Sequence, residues 1–286
     1  MRTALVSDIH ANLAAFEAVL AHIGSKNVDR IICLGDIVGY GPDPVECVDL
    51  VAQRCEWSLM GNHDCAVLYE PTNFNEAARA AAFWTRDQLN SYHKRRLGEL
   101  DGLRAAGEIG PETLQRRSKE VETDRQRRLE FIMTLAVRKA FGAFICVHGT
   151  PRKCINEYLF PDDTLSSPQK VAQIFAHVPR YCLVGHTHVP GVFTDEPDFW
   201  TPEDLDGVYV LRPEEKVIVN PGSVGQPRDG DPRASYGVLE EVVDGDQTAY
   251  RIEFHRVEYD VRRTVERIHA IPELSNWLGD RLLEGR

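Results

Sequence analysis

Short apolar runs alternate with helical repeats along the first part of the chain. Residues 3–7 form an apolar run that ends at Asp8, and residues 11–23 carry apolar side chains at helical spacing. Residues 29–34 and 42–51 repeat this pair, and prolines begin the second helix. Strand, helix, strand and helix at this spacing predict βαβ units with parallel strands.

Further strands are predicted along the rest of the chain. Residues 56–60, 141–147 and 180–184 are short apolar runs that indicate buried strands. After residue 190 short strands and turns predict an antiparallel sheet over residues 207–211, 216–219, 235–243 and 248–257. Two helices are predicted to follow, one from Val261 and one opened by Pro272.

Residues 74–89 predict an alanine-rich helix, and a charged helical segment follows over about residues 93–130. This second segment mixes both signs of charge and holds few large apolar side chains, which is typical of a solvated helical surface. We interpret it as an excursion from one domain that spans residues 1–286. A lid or a partner surface is the alternative interpretation.

Five short polar clusters each come directly after an apolar strand. They are Asp8-Ile9-His10, Gly35-Asp36, Gly61-Asn62-His63-Asp64, His148-Gly149-Thr150-Pro151 and Gly185-His186-Thr187-His188. The crevice beyond the carboxyl ends of parallel strands is the usual ligand site of an α/β sheet. One Asp-x-His after a strand is more often a capped turn, but five such clusters in series predict a single site.

The residue types in these clusters favour a transition metal. Side chains two residues apart on an extended chain point the same way. Asp8 with His10 and His186 with His188 are therefore predicted to be pairs whose two side chains point into the same site. Carboxylate, amide and imidazole ligands without a thiolate suit Mn²⁺, Fe, Zn²⁺ or Co²⁺ better than Ca²⁺ or a structural zinc.

Charge and composition narrow the choice of partners. The 286 residues carry a formal net charge of −11, which disfavours loose attraction to nucleic acid or to an anionic membrane. No apolar run approaches the roughly 18 residues that would span a bilayer, and charge interrupts the first residues too early for a signal peptide. Seven cysteines without a CxxC pair predict a reducing, cytoplasmic compartment.

The series D-x-H, G-D, G-N-H-D, V-H-G and G-H-T-H resembles the signature of the calcineurin-like metallophosphoesterases. Residues 35–42 and 220–228 carry a closer likeness to the bacterial and archaeal branch of YfcE-like and diadenosine tetraphosphatase-related proteins. The resemblance implies an α/β fold, a four-layer αββα sandwich with two mixed sheets.

The resemblance also implies a role for each cluster residue. The first metal would be held by Asp8, His10 and His188, the second by Asn62, His148 and His186, and Asp36 would bridge both. His63 would be the acid that protonates the leaving group, with Asp64 as a candidate to orient it, and Arg152 and Arg228 could contact phosphate. The implied cofactors are two divalent ions, with Mn²⁺ preferred over Fe, Zn²⁺, Co²⁺ or Ni²⁺.

One stretch departs from the protein phosphatases of that superfamily. They carry Asp-Arg-Gly after the bridging aspartate, where this chain has Gly39-Tyr40-Gly41. The acid that would orient His63 and an arginine that would hold phosphate are missing there. Phosphoprotein phosphatase activity, and a symmetrical dinucleoside tetraphosphatase built on that motif, are therefore disfavoured.

The sequence predicts a hydrolase that acts on a small phosphodiester or phosphomonoester through a metal-bridging hydroxide. A dinucleoside polyphosphate hydrolase is the alternative, and a nuclease is disfavoured because no aromatic and basic groove is evident. A non-catalytic scaffold on the same fold would lack ligands or replace His63, and this chain keeps them all. A homo-oligomer is left open.

Overall fold

The computed structural model describes residues 1–244 and 247–286. Its strands are β1 Arg2–Val6, β2 Arg30–Cys33, β3 Trp57–Ser58, β4 Arg138–Phe141, β5 Phe144–Val147, β6 Tyr181–Leu183, β7 Gly191–Thr194, β8 Phe199–Trp200, β9 Val208–Leu211, β10 Val217–Asn220, β11 Ala234–Asp244 and β12 Gln247–Val257. Its helices are α1 Leu13–Ile23, α2 Pro44–Arg54, α3 Asn62–Leu68, α4 Glu76–Ala105, α5 Pro111–Met133, α6 Asp163–Ser166, α7 Pro168–Phe175, α8 Val261–His269 and α9 Asn276–Asp280, followed by a 3₁₀ turn at Arg281–Leu283.

The strands form two mixed sheets of six strands each. The first has the order β3-β2-β1-β11-β12-β9, and its three N-terminal strands run parallel. The second has the order β4-β5-β6-β10-β7-β8, with parallel pairing from β5 through β6 to β10. Two mixed sheets flanked by helices confirm the predicted α/β sandwich.

Alternation along the strands separates the layers of the sandwich. In β1, Leu5 belongs to an apolar core together with Phe144 and Val217 of the second sheet, so this core lies between the sheets. Ala4 and Val6 point to the other face and pack with α1 and α2. Side chains of α7 cover the outer face of the second sheet, which completes four layers.

The strands predicted after residue 190 to form one antiparallel sheet are divided between the two sheets. Strands β7, β8 and β10 join the second sheet, whereas β9, β11 and β12 join the first. Another difference is local, because the run predicted as one strand over residues 141–147 turns at Gly142, where φ is +56°. Strands β4 and β5 therefore form a hairpin.

The charged excursion is an antiparallel pair of helices. Helix α4 runs without a break from Glu76 to Ala105, so the boundary predicted near residue 93 lies inside a helix. Most side chains of α5 are exposed, but Ile132 at its end is buried in the core. Arg128 also donates two hydrogen bonds to Asp49 of α2, at 2.7 and 2.6 Å, which fixes the base of the pair. Of the helices in the described ranges, none has the length and apolar character needed to cross a membrane.

The last helices pack beside α4 at the end of the chain. Trp84 of α4, Val265 of α8 and Leu278 of α9 share one buried apolar cluster, and Tyr40 packs against it. Asn12, at the start of α1, accepts a hydrogen bond of 2.8 Å from Thr264 of α8. The C-terminal segment is therefore held against the edge where the strands of the first sheet end.

Candidate metal centre

The predicted ligands converge at the carboxyl ends of five parallel strands, two of them from the second sheet. The segments after β1, β2, β3, β5 and β6 carry the seven residues, in loops except for Asn62 at the start of α3, and all are buried: Asp8, His10, Asp36, Asn62, His148, His186 and His188. Both sheets contribute ligands, so the site lies where the carboxyl ends of the parallel strands of the two sheets meet. This is the placement expected of a ligand site in a parallel α/β arrangement.

The ligand atoms fall into two groups that share Asp36. In the first group Asp8, His10, Asp36 and His188 each offer an atom within 4.8 Å of the others, and in the second Asp36, His148 and His186 do so. Asp36 Oδ2 lies 3.6 Å from His10 Nε2 and 3.2 Å from His148 Nε2. One carboxylate therefore faces both groups.

Backbone carbonyls set the proton on three of the histidines. In each ring Nδ1 lies within hydrogen-bond distance of a carbonyl oxygen: His10 with Val38 (3.1 Å), His148 with Leu34 (2.9 Å) and His188 with Gln226 (2.6 Å). A proton on Nδ1 leaves the lone pair of Nε2 directed at the carboxylates. Such a second contact is typical of metal-bound histidine, because it fixes the tautomer and the ring orientation.

Several buried ligand atoms of the site have no hydrogen-bond partner in the described chain. Within residues 1–244 and 247–286, His148 Nε2, His186 Nε2 and Asn62 Oδ1 have no hydrogen-bond partner although they are buried. The Nε2 atoms of His10 and His188 lie 3.1 Å apart, so their lone pairs face one another. A divalent cation would satisfy all of these atoms, and the donor set of oxygen and imidazole fits such an ion.

The electrostatics of the cluster favour anionic carboxylates beside mostly neutral imidazoles. Burial alone would raise the pKa of Asp8 and Asp36, but neighbouring histidines lower both below the ordinary value. Burial lowers the pKa of His10 well below its ordinary value and that of His186 to about 3. His148 differs, because Asp36 overcomes the effect of burial and raises its pKa.

The ligand loops are strained. Five of the predicted ligands have left-handed backbone conformations with φ between 49° and 69°: Asp8, His10, Asp36, His186 and His188. The extended geometry predicted for the Asp8–His10 and His186–His188 pairs is therefore wrong. Asp8 and His10 still meet in the first group, whereas His186 and His188 separate into the two groups. Each such residue costs about 1–3 kcal/mol, a strain that is typical of functional sites.

Asp64 has a different role from the predicted one. Its carboxylate accepts hydrogen bonds from the backbone N–H groups of Asp36 (2.9 Å), Ile37 (3.0 Å), Val38 (3.3 Å) and Gly61 (2.9 Å). None of its hydrogen bonds in the described chain reaches the His63 side chain. The idea that Asp64 orients His63 is corrected, because both carboxylate oxygens are already occupied by the loop that carries Asp36.

His63 lies in the first turn of α3. Its ring packs edge-on against His10, with centroids 4.9 Å apart, and against Tyr40 at 4.3 Å. A Cβ at Gly39 would lie 2.2 Å from His63 Nδ1, so only glycine fits there. Burial lowers the pKa of His63 to about 4, and Asp36 opposes this shift.

Residues 1–244 match the family described as the calcineurin-like phosphoesterase superfamily domain. The chain belongs to the calcineurin-like phosphoesterase superfamily. An uncharacterized protein from Methanocaldococcus jannaschii is 35% identical over 288 residues, covering 99% of this chain and 98% of that protein. The crystal structure of a metallophosphoesterase from Sphaerobacter thermophilus is 34% identical, with a TM-score of 0.71 over 100% of this chain and 99% of that one.

A protein from Pyrococcus horikoshii OT3 shares the fold at 16% identity, with a TM-score of 0.64 over 100% of this chain and 98% of that chain. The match of residues 1–244 to the family confirms the superfamily predicted from the motifs. Membership and the buried cluster of aspartate and histidine together support a metal-dependent hydrolase with a site suited to divalent metals.

The two arginines predicted to contact phosphate lie in different surroundings. The Arg152 guanidinium donates to Glu157, at 3.0 and 2.5 Å, and also to Gln173. Arg228 instead lies 5.8 Å above the Tyr40 ring at the edge of the metal cluster. In this phosphoesterase Arg228 is the one of the two that faces the site.

Two tyrosines of the site had no role in the sequence prediction. The Tyr40 ring contacts both His10 and His63, with centroids 4.7 and 4.3 Å apart, and Tyr158 stacks on His186 with centroids 3.7 Å apart. Both line a small cavity of about 90 Å³ together with Phe74. Tyr40 could have been found as the bulky residue inside an otherwise glycine-rich ligand loop, but no motif surrounds Tyr158.

Proposed function

We propose that this phosphoesterase holds two divalent ions and hydrolyses a small phosphodiester or phosphomonoester. The observation that carries the proposal is the presence of two groups of buried ligand atoms that share the carboxylate of Asp36. A shared carboxylate is what keeps two ions about 3.5–4 Å apart in two-metal hydrolases. Asn62 would complete the second group, because its buried Oδ1 lacks a partner among the described residues.

When bound, two such ions supply a nucleophilic hydroxide near neutral pH and neutralise the charge of the phosphoryl group. The protein supplies the frame for this chemistry. The carbonyls behind His10, His148 and His188 hold the rings in place, so the site is preorganised before substrate binds. Arg228 adds a positive charge at the rim, where it could hold a phosphate oxygen.

His63 is the proposed general acid. Its Nδ1 is buried without a partner in the described chain, and its ring lines the cavity beside Asn62 and His186. The ring is neutral in the resting site because burial lowers its pKa to about 4. The negative charge of a bound phosphate favours the imidazolium, so the substrate itself would prepare His63 to donate a proton to the leaving oxygen.

A dinucleoside polyphosphate is the second candidate substrate. The observation that favours it is the aromatic lining of the cavity by Tyr40, Phe74 and Tyr158. A nucleobase can stack on such side chains, and stacking contributes about 1–3 kcal/mol per base in other proteins. A simple alkyl ester would not use this lining.

The metal and the compartment are parts of the same proposal. Mn²⁺ is the preferred ion because the donor set is rich in oxygen and imidazole and holds no thiolate. All seven cysteines are free, and Cys33, Cys47, Cys146 and Cys182 are buried. Free buried thiols favour a reducing cytoplasmic compartment.

A substrate panel tests the proposal. The protein loaded with Mn²⁺ is assayed against p-nitrophenyl phosphate, bis-p-nitrophenyl phosphate and dinucleoside polyphosphates, with Asp36→Ala as the inactive control. We expect metal-dependent hydrolysis of at least one ester and none by the variant. Absence of hydrolysis across the panel, with Mn²⁺ and then with Zn²⁺, Fe²⁺, Co²⁺ and Ni²⁺, would contradict the proposal.

A further inference from the structure

Two arginines lie near the metal centre, and neither has an aspartate or glutamate partner among the described residues. Arg228 lies over Tyr40, and the guanidinium of Arg281 lies 4.4 Å above the Trp277 ring. In the part of the chain that the structure describes, neither arginine pairs with an aspartate or glutamate, and Arg281 Nε donates a hydrogen bond to the backbone oxygen of Arg286. The acids nearest to Arg228 in sequence are Asp229 and Asp231, which pair with other arginines.

The C-terminal segment carries Arg281 to this position. The backbone N–H of Gly230 donates to the carbonyl of Gly285 at 2.9 Å, which ties the end of the chain to the loop that follows Arg228. Gly285 has φ of +64°, and a Cβ there would lie 2.5 Å from the Asp231 backbone, so this contact requires glycine. The apolar cluster of α8 and α9 also packs against Tyr40. Arg281 therefore belongs to the segment that packs against Tyr40, the ring over which Arg228 lies.

The two positive charges lie close enough to disturb each other. Burial lowers the pKa of Arg281 to about 10, and the positive charge of Arg228 contributes to the same shift. With that pKa the Arg281 guanidinium stays charged at neutral pH. Arg228 Nε is buried and has no partner in the described chain, and Arg228 Nη2 donates to Gln226 at 2.7 Å. An anion between the arginines would relieve the repulsion and satisfy the buried donor.

The arginines lie at different distances from the metal ligands. The backbone N–H of Arg228 donates to the carbonyl of His188 at 3.3 Å, and its charge acts on both His63 and His188. The charge of Arg281 acts on Tyr40, and its hydrogen bond to Arg286 involves no ligand of the two metal groups. Arg228 is thus the inner arginine, next to a phosphate at the metal centre, and Arg281 is the outer one.

We propose that Arg281, together with Arg228, forms an anion subsite that binds a second phosphate group of the substrate beside the scissile one. The substrates that fit carry two phosphates joined as an anhydride or placed on neighbouring atoms. The inference rests on the proposed function for the position of the first phosphate. A planar guanidinium pair can hold phosphate oxygens through several charge-assisted hydrogen bonds.

Inorganic anions test this subsite without the binding energy that a stacked nucleobase would add. Orthophosphate fills one phosphate position and pyrophosphate fills two. Their dissociation constants are measured by titration calorimetry with protein loaded with Mn²⁺, at one constant concentration of free Mn²⁺ for all variants. For Arg281→Gln we expect the dissociation constant of pyrophosphate to rise about 10-fold or more, and that of orthophosphate to change less than about threefold.

A matched control is available on the same segment. Arg286 carries the same charge, is 77% exposed and pairs with Glu284, so Arg286→Gln should leave both constants unchanged. Arg281→Lys keeps the charge but loses the planar fork, and we expect an intermediate loss that affects pyrophosphate alone. If Arg281→Gln does not fold, Arg281→Lys tests the subsite instead: the dissociation constant of pyrophosphate should rise and that of orthophosphate should not.

An equal loss for both anions, or no loss for either, overturns the subsite. The outcome is separable from the proposed function. If the unaltered protein hydrolyses no ester but its pyrophosphate affinity depends on Arg281, the subsite stands and the proposed hydrolysis falls. If esters are hydrolysed and the two anions respond alike, the hydrolysis stands and the subsite falls.

Discussion

The carboxylate of Asp64 accepts a hydrogen bond of 2.9 Å from the backbone N–H of Asp36, the residue that faces both groups of metal ligands. Burial and the negative charge of Asp36 raise the pKa of Asp64, and its N–H donors oppose this rise. The residue that follows His63 thus holds the loop that carries the shared ligand. Asp64 therefore has a structural role in the metal centre, whereas Asp36 faces the metal ligands directly.

Asp64→Asn is expected to destabilise the metal-free protein. The amide replaces one acceptor oxygen with a donor, which leaves backbone N–H groups of the Asp36 loop unsatisfied. We expect the free energy of unfolding to fall by about 3 kcal/mol, as measured by urea denaturation in the presence of a chelator. Asp49→Asn, which removes a half-exposed partner of Arg128, should cost less than about 1 kcal/mol. Equal losses would show that the Asp64 bonds are not exceptional.

Asp36→Ala is expected to abolish binding of both ions. Elemental analysis of the purified protein after loading with Mn²⁺ should find about two ions per chain before the change and close to none after it, because Asp36 faces both ligand groups. Asp163→Asn is the control, a buried carboxylate that pairs with Lys170 outside the site. Retention of one full ion by Asp36→Ala would assign Asp36 to a single metal.

His63→Asn is expected to keep the metals and to slow turnover. The ring is not among the ligand groups, and a general acid contributes about 10²–10⁴-fold for an alkyl leaving group. The loss should be smaller with p-nitrophenyl esters, because p-nitrophenolate leaves without a proton. Steady-state kinetics on both ester types, together with metal analysis, check this. Equal slowing of both esters with loss of an ion would make His63 a ligand.

Shortening the tip of the helix pair should leave the hydrolysis of a small ester unchanged. Replacing residues 101–115 with a short Gly-Ser turn removes exposed ends of α4 and α5 but keeps the Arg128–Asp49 bonds and Ile132 at the base. The assay is the kcat/KM for bis-p-nitrophenyl phosphate, with the melting temperature as a check on folding. A large fall in kcat/KM at an unchanged melting temperature would support the alternative interpretation, a lid.

The stability of the protein is expected to fall in mild acid partly through His255. Its ring stacks on Tyr236 at 4.9 Å, and burial lowers its pKa from 6.5 to about 4, with Glu253 opposing the shift. Between these two pH values the unfolded chain binds a proton that the folded chain does not, so stability is lost as the pH falls through that window.

His255→Phe keeps an aromatic ring on Tyr236 and removes the titration. Denaturation at several pH values between 7.5 and 4.5 should therefore show a smaller acid loss in this variant than in the unaltered protein. The exposed His177 gives a control, His177→Phe, whose loss should match that of the unaltered protein. An identical acid loss in the His255 and His177 variants would exclude His255 as a contributor.

Much of the site could be predicted from the sequence because its signal is local. Each ligand follows directly after an apolar run, and such runs form strands whose carboxyl ends meet at one edge. Residue types then indicate the metal chemistry, and the motif series indicates the superfamily. This is why Asp8, Asp36 and His148 could be named as candidate ligands in advance, and the structure brings their side chains close to one another.

Other features depend on contacts between residues far apart in the chain, for which no local pattern exists. The pairing of β11 with β1, and not with β10, divides the late strands between two sheets. Packing also imposes left-handed backbone at residues such as His186 and His188, so that neighbours in sequence face different ligand groups.

Arg281 illustrates the same limit. Its position beside Arg228 follows from the packing of the last helices and from the backbone bond between Gly230 and Gly285. The sequence by itself determined which side chains could bind metal, because residue type and position after a strand are local properties. Only the tertiary structure decided which of these side chains meet and which arginines lie near them. The burial of each side chain and the distances between them arise when the two sheets and the C-terminal helices pack together.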